Sequence, residues 1–179
     1  MRDLTTKDRI IDFIARLARV ARSPVRVYLT GGSTAVLLGW RESTVDVDVK
    51  FEPEADEIFR AIPEIKEALQ INVELASPPD FIPEVPGWRD RSIYIDTVGS
   101  VSFYHFDLYS QALSKIERGH EKDRADVESM LSNDLIDRQR LIELFELIRP
   151  DLYKYPALNE SKFASDVHEF STKDPQRSS

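Results

Sequence analysis

The feature that most constrains the fold is a strict alternation of apolar and polar residues over 45–51. Val45, Val47, Val49 and Phe51 take one set of alternate positions, and Asp46, Asp48 and Lys50 take the other. Successive side chains of a β-strand point to opposite faces, so this segment predicts a strand with an apolar face and two carboxylates together on the other. Such a pair can ligate a hard divalent cation. Taken alone, however, the pair is better explained as the solvated face of an exposed or edge strand.

The preceding segment makes the pair more informative. A short strand, a glycine turn and a short helix are predicted over 25–29, 30–33 and 34–38. Ser33 suits the N-cap of this helix, and Gly39 suits its C-terminal stop. A Gly31-Gly32-Ser33 turn at the start of a helix offers backbone N–H groups and a hydroxyl that can cradle a triphosphate. The order strand, glycine turn, helix and Asp-x-Asp strand is more specific than either motif alone.

The rest of the chain predicts an α+β fold, a small mixed β-sheet flanked by helices with a helical C-terminal half. An amphipathic helix covers 10–17, and a second helix, broken or restarted at Pro63, covers 53–69. Strands are predicted over 71–75, 92–97 and 101–107, with a long irregular loop over 77–90. Helices follow over 108–118, 122–131, 137–148 and 159–170. The predicted divisions are therefore an α/β core over 1–107, a helical region packed on it over 108–170, and a disordered tail over 171–179.

Composition limits the remaining function classes. The chain has 24 Lys plus Arg against 32 Asp plus Glu, so its overall charge carries no signature of nucleic-acid binding. It has no cysteine, so any metal must be held by oxygen or histidine, and the three histidines show no paired metal-site spacing. No apolar run is long enough to span a membrane, and we expect a soluble cytoplasmic protein.

Two further segments extend the match to a known family. Gln111–Gly119 contains a helical lysine, and Lys122–Val127 contains Lys-Asp-x-x-Asp. With the glycine turn and Asp-x-Asp, they make the chain similar to nucleotidyltransferases of the DNA polymerase β-like superfamily, especially the AbiEii/AbiGii toxin-like group. The resemblance runs from about Tyr28 to Leu131. It implies the nucleotidyltransferase-like form of the fold and transfer of a nucleoside monophosphate.

The resemblance also implies roles for individual residues. Asp46 and Asp48 would hold Mg²⁺ or Mn²⁺, and many members of the superfamily add a third carboxylate on a later strand. Glu74 is the better positional choice for that ligand, with Asp80 as its alternative. The implied catalytic residues are Asp46, Asp48, Lys115 and Asp126, with Asp123 as second choice for Asp126, and the implied nucleotide-binding residues are Gly31, Gly32, Ser33, Arg41, Thr44, Lys115 and Arg118. Without the upstream motifs, the charges on 115–126 would instead indicate an ordinary helix surface.

The leading hypothesis is therefore transfer from an NTP to an RNA end, with tRNA among the RNA acceptors, or to a protein hydroxyl. A toxin controlled by an antitoxin protein is the biological role that the resemblance suggests. The competing hypothesis is a catalytically inactive module of the same fold that binds a nucleotide or a protein. In a third, purely structural interpretation, the aspartate pair is only a solvated strand face.

Overall fold

The computed structural model describes residues 4–173, and within that range the expected α+β architecture is confirmed. Its seven strands and eight α-helices form two compact units. The first unit takes everything up to Ser77 together with Ser92–Phe106, and the second takes Pro78–Arg91 and everything from Asp107 onward. Residues 78–91, which were predicted inside the 1–107 core, therefore belong to the helical unit. No helix in residues 4–173 is both long enough and apolar enough to cross a bilayer.

The first unit is built around a five-stranded mixed sheet. Its elements are β1 (Thr5–Thr6), α1 (Lys7–Val20), β2 (Val25–Thr30), α2 (Gly31–Leu38), β3 (Ser43–Thr44), β4 (Asp46–Glu52), α3 (Asp56–Leu69), β5 (Asn72–Glu74), β6 (Ile93–Val98) and β7 (Val101–His105). The strand order is β5-β4-β2-β7-β6, and β1 and β3 form a separate antiparallel ribbon. β2 runs antiparallel to β4 and parallel to β7, β4 runs parallel to β5, and β6 and β7 form an antiparallel hairpin.

The sheet buries one face and leaves the polar residues of β4 on the other. Val47, Val49 and Phe51 join the hydrophobic core, in which α1 and α3 also pack against each other. The intervening residues of β4 remain half-buried, as the sequence alternation predicted. Val45 departs from the pattern, since it is 55% exposed and precedes the strand. The chain passes there from pairing with β1 to pairing with β2, so the alternation begins one residue later than expected.

Pro63 does not break α3, which contradicts the predicted interruption. The helix is continuous over Asp56–Leu69 with the proline inside it. Proline removes one backbone hydrogen bond, but Ile58, Ile62 and Ile65 on the same helix are all buried. Burial of a large apolar side chain contributes about 1.5–3 kcal/mol. Three such side chains offset the cost of one missing hydrogen bond and the local distortion.

All regular secondary structure among the described residues of the second unit is helical. It comprises a 3₁₀ turn (Pro78–Asp80), α4 (Trp88–Arg91), α5 (Leu108–Arg118), α6 (Glu121–Ser132), α7 (Arg138–Ile148), a second 3₁₀ segment (Arg149–Lys154) and α8 (Glu160–Thr172). The predicted loop over 77–90 is thus partly helical, and its Ile82, Val85 and Trp88 are buried. The last helix continues to Thr172, beyond the predicted end at 170, and residues 174–179 of the predicted tail lie outside the described residues.

Candidate active site

The two aspartates of β4 lie beside the first turn of α2. β2 pairs with β4 so that Thr30, the last residue of β2, is opposite Asp48. Gly31 follows at once with φ +60, a left-handed conformation that favours glycine. The Asp48 carboxylate therefore lies at the N-terminal end of α2, where the backbone N–H groups and the helix dipole favour negative charge.

Close packing requires both glycines of the turn, and conformation also requires Gly31. A Cβ on Gly31 would collide with Oδ2 of Asp48, and a Cβ on Gly32 would collide with Oγ1 of Thr44. Replacing either glycine would push a side chain of the site out of position. The Gly-Gly pair thus lets the start of α2 lie against both the carboxylate and the threonine.

Ser33 is not the N-cap that the sequence indicated. The helix begins at Gly31 with Thr30 as its N-cap, and Ser33 lies inside the first turns, fully buried. Its hydroxyl donates to the Thr30 carbonyl oxygen at 2.8 Å. Serine hydroxyls commonly bond to backbone carbonyls of the preceding turn. This bond engages the hydroxyl proton, although the oxygen retains acceptor capacity. The end of α2 agrees with expectation, because Gly39 is its C-cap in the left-handed conformation.

Thr44 and Arg41 belong to the connection between α2 and β4. Thr44 is buried, and its Oγ1 donates to the backbone carbonyl of Asp46 at 3.1 Å. This hydrogen bond holds the chain at the entrance to β4 and helps fix the first aspartate. Arg41 is half-buried, and its backbone N–H donates to the Ala35 carbonyl at 3.3 Å.

The neighbouring strand β5 brings Glu74 beside the aspartates. In the parallel pairing of β4 and β5, Asp46 is opposite Asn72 and Asp48 is opposite Glu74. The Asn72 amide donates to Oδ1 of Asp46 at 2.7 Å and to Oε1 of Glu74 at 3.2 Å. Asp80, the alternative third ligand, lies in the 3₁₀ turn of the second unit. Of the two choices, Glu74 is the carboxylate that shares the sheet with Asp46 and Asp48.

Sequence reasoning missed Asn72, whose role depends on strand pairing. Only the register between β4 and β5 shows that its amide lies between two carboxylates. The available signal was its position two residues before Glu74, which places both on one strand face. As placed in residues 4–173, no three His, Asp or Glu side chains form a group with the spacing of a metal site. The donors along this edge are nevertheless all oxygens, the chemistry that Mg²⁺ prefers.

The other predicted residues form a charge cluster within the second unit. Lys115 of α5 donates through Nζ to Oδ2 of Asp126 at 2.7 Å and to Oδ1 of Asp123 at 3.4 Å. Arg118 donates to the same Asp123 oxygen at 2.6 Å. Lys115 is only 4% exposed, and both aspartates are buried too. The alternative of an ordinary charged helix surface is therefore wrong for these three residues.

The burial of these charged side chains distinguishes the cluster from ordinary surface ion pairs. Lysine and aspartate are almost never fully buried unless they are paired, and here two cations face two carboxylates. Buried ion pairs contribute little net stability compared with apolar packing, because their desolvation is expensive. Such clusters are therefore candidates for a functional role. The predicted pairing of Lys115 with a phosphate would require its ammonium to leave or share the Asp126 contact.

His105, to which the sequence assigned no function, joins β7 to α2. It is 4% exposed, and Nδ1 lies 3.2 Å from Oγ1 of Thr34. The Thr34 hydroxyl itself donates to the Leu29 carbonyl at 3.2 Å, so the imidazole Nδ1–H is the donor to Thr34. Burial lowers the pKa of His105 from 6.5 to about 4. The ring is consequently neutral at physiological pH and acts as a hydrogen-bonding link in the core.

A comparison with protein families agrees with the geometry of this site. The family model described as "Nucleotidyltransferase of unknown function (DUF6036)" matches residues 9–172. The match therefore spans both units, including the glycine turn, Asp-x-Asp and the buried charge cluster. Neither the curated proteins nor the solved structures contain a match to this chain.

Proposed function

Because the chain belongs to the DUF6036 family of nucleotidyltransferases, we propose that it transfers a nucleoside monophosphate from an NTP to an acceptor hydroxyl in a Mg²⁺-dependent reaction. The acceptor is an RNA end or a protein hydroxyl. The acceptor oxygen bonds to the α-phosphorus, the bond to the bridging oxygen breaks, pyrophosphate leaves, and the hydroxyl proton is released. The observation that carries the proposal is the placement of Asp48 against the Gly31 turn at the start of α2.

The residues of the first unit are suited to hold both the divalent cation and the phosphates of a Mg²⁺·NTP substrate. Asp46 and Asp48 would hold the cation, with Glu74 on β5 as the third carboxylate. A divalent cation held there would neutralise charge that develops during phosphoryl transfer. The backbone N–H groups at Gly31 and Gly32 would bind phosphate oxygens. Ser33 and Thr44 would shape the turn, and Arg41, on the connection between α2 and β3, would supply a positive charge for the phosphates.

The charge cluster of the second unit supplies the second part of the proposal. Lys115 would exchange its contact with Asp126 for a phosphate oxygen, and Arg118 would assist it. Asp126, released from the lysine, would orient the acceptor or nucleotide, with Asp123 as the alternative. The pairing of the Lys115 ammonium with a carboxylate oxygen supports this role, because a phosphate oxygen is an anionic acceptor of the same kind.

The decisive experiment is calorimetry of each NTP with and without Mg²⁺. The comparison uses wild-type protein and the Asp46→Asn/Asp48→Asn double variant. Glu52→Gln is the matched control, since it removes a carboxylate from the same strand face farther along β4. Mg²⁺-dependent binding that is lost in the double variant and kept in the control is the expected result. Equal nucleotide affinity in all three proteins would contradict the proposed site.

One observation favours the competing function of a noncatalytic binding module. The Asn72 amide lies between Asp46 and Glu74 and bonds to both, which keeps those carboxylates from sharing a cation unless the amide moves. A module of this kind would bind an NTP but release no pyrophosphate. Incubation with labelled NTPs and total RNA or protein separates the two functions, because only the enzyme produces pyrophosphate and a labelled acceptor.

The toxin role is part of the proposal and depends on activity. A toxin that modifies an essential RNA or protein would stop growth, and an antitoxin protein would prevent this. The growth arrest, and therefore its relief by the antitoxin, would require the intact carboxylate pair of β4.

A further inference from the structure

A row of tyrosines crosses the polar face of the five-stranded sheet. Tyr28 on β2 is in register with Tyr104 on β7, which is in register with Tyr94 on β6. The ring centroids of Tyr28 and Tyr104 are 5.4 Å apart with nearly parallel planes, and those of Tyr104 and Tyr94 are 5.7 Å apart, edge to face. Exposure rises along the row from the buried Tyr28 to Tyr94, which is 57% exposed. The outer end of the row is therefore an aromatic surface open to solvent.

The exposed ring is held in place by hydrogen bonds. Tyr94 Oη donates to Oγ1 of Thr97 at 3.0 Å, and Thr97 Oγ1 lies 3.0 Å from Oγ of Ser102. The register between β6 and β7 shifts between Tyr94 and Asp96, and irregularities of this kind re-aim side chains near functional sites. A ring fixed before a ligand arrives loses less conformational entropy on binding.

Charged residues flank the row on the same face. Two residues after Tyr28 on β2, at the glycine turn, Thr30 is opposite Asp48. Two residues before Tyr28 lies the exposed Arg26, and Lys50 on β4 is directly opposite Tyr28. Same-face residues are about 7 Å apart along a strand and strands about 4.8 Å apart. Tyr94 and Asp48 are three inter-strand spacings apart across the sheet and one same-face interval of two residues apart along it, a total separation of about 16 Å.

We propose that Tyr94, supported by Tyr104 behind it, forms a stacking surface for a base of a single-stranded nucleic-acid acceptor, an inference that rests on the proposed nucleotidyl transfer. Aromatic side chains stack on any base, and neighbouring cations contact the backbone phosphates. The separation of about 16 Å is too large for the reacting nucleotide, so the stacked base belongs to a nucleotide upstream of the acceptor end.

Stacking rather than charge would carry this binding. Arg26 is directly opposite Glu52 in the pairing of β2 and β4, and the chain as a whole has a formal net charge of −8. The salt dependence of binding grows with the number of phosphates neutralised. Affinity for a single strand should therefore depend strongly on the tyrosine ring and only weakly on salt.

The test is fluorescence anisotropy with a short 5′-fluorescein-labelled oligoadenylate and full-length protein. Removing one base-stacking aromatic weakens binding roughly five- to hundredfold, so Tyr94→Ala should bind the oligonucleotide that much less tightly than wild type. Tyr94→Phe keeps the ring and should bind within about twofold of wild type by the same stacking argument. Tyr153→Ala is the control, because Tyr153 is an even more exposed tyrosine in the second unit. Far-UV circular dichroism and the unfolding midpoint verify that each variant is folded.

Calorimetry of Mg²⁺·NTP with the same proteins separates the two proposals. Tyr94→Ala should bind NTP as wild type does. If NTP binds but the oligonucleotide does not bind wild type, or binds Tyr94→Ala equally well, the stacking surface is refuted while the proposed function stands, and a protein partner becomes the better occupant of this edge. If the oligonucleotide binds in a ring-dependent manner but no NTP binds, the surface is supported and the proposed function fails.

Discussion

The buried His105 should make stability fall as the pH is lowered, by an amount that its surroundings determine. Burial lowers its pKa from 6.5 to about 4 in the folded protein. Between these values the unfolded chain binds a proton that the folded protein does not, so protonation favours unfolding. The contribution of the neutral ring is fully present above the unfolded pKa and is lost progressively as the pH falls.

The magnitude follows from the two pKa values. One pKa unit corresponds to about 1.4 kcal/mol, so lowering the pH from 7 to 5 should remove about 2 kcal/mol of unfolding free energy through this residue alone. The loss should level off near about 3 kcal/mol below pH 4, where the folded protein also binds the proton. The source is the desolvated ring, hydrogen-bonded to Thr34.

Urea denaturation of wild type and His105→Asn at several pH values measures this term. Asparagine retains a donor near the position of Nδ1 but does not titrate. The variant will be less stable at neutral pH because it leaves a cavity, so the informative quantity is how the difference between the two stabilities changes with pH. His168→Asn, which removes an exposed histidine from α8, is the control and should follow the wild-type profile. Parallel profiles for wild type and His105→Asn would show that protonation of His105 does not destabilise the folded protein.

Three further predictions concern the site. Gly31→Ala should lose about 1–2 kcal/mol of unfolding free energy through its left-handed backbone, and it should also lose Mg²⁺·NTP binding in calorimetry because its Cβ displaces the Asp48 carboxylate. The control Gly39→Ala has a positive φ but open space around it, so it should lose stability alone. Equal loss of binding in both variants would contradict the packing argument. Lys115→Met leaves two buried carboxylates without that cation and should lower the free energy of unfolding by about 3–5 kcal/mol in urea denaturation. Most of this loss should be recovered when Asp123 and Asp126 are also made asparagine. No recovery would mean that the lysine stabilises the fold through its packing. Expression of wild type should slow bacterial growth, whereas expression of the Asp46→Asn/Asp48→Asn variant at the same level should not, and equal growth curves would remove the toxin role.

The periodic parts of the fold were predictable because they depend on local sequence. The alternation predicted over 45–51 became β4 from Asp46 onward, and the helix predicted over 108–118 has those bounds, with Gly119 as its C-cap. Failures occurred where tertiary packing decided the outcome. Pro63 stays inside α3 because the apolar face of that helix is buried. Ser33 lies inside α2 because Gly31 and Gly32 allow the helix to start earlier.

The candidate site was predictable in residue type but not in arrangement. Asp46, Asp48 and Glu74 could be chosen from spacing, yet their relation to Asn72 depends on the register of β4 with β5. Similarly, helical periodicity alone does not show that Lys115 is buried between carboxylates. Spacing places charges on a helix, whereas their burial depends on what packs over that helix.

The connectivity of the first unit has a consequence for synthesis on the ribosome. β2, which leads into the glycine turn, takes its parallel neighbour β7 from a segment more than seventy residues later, with Val25 opposite Val101. A nascent chain that ends before Ser92 therefore presents β2 with one edge unpaired, and exposed strand edges promote association with other chains. Such distant pairing also slows folding. We expect the Asp48 site to form only after the β6–β7 hairpin has left the ribosome and paired with the open edge of β2.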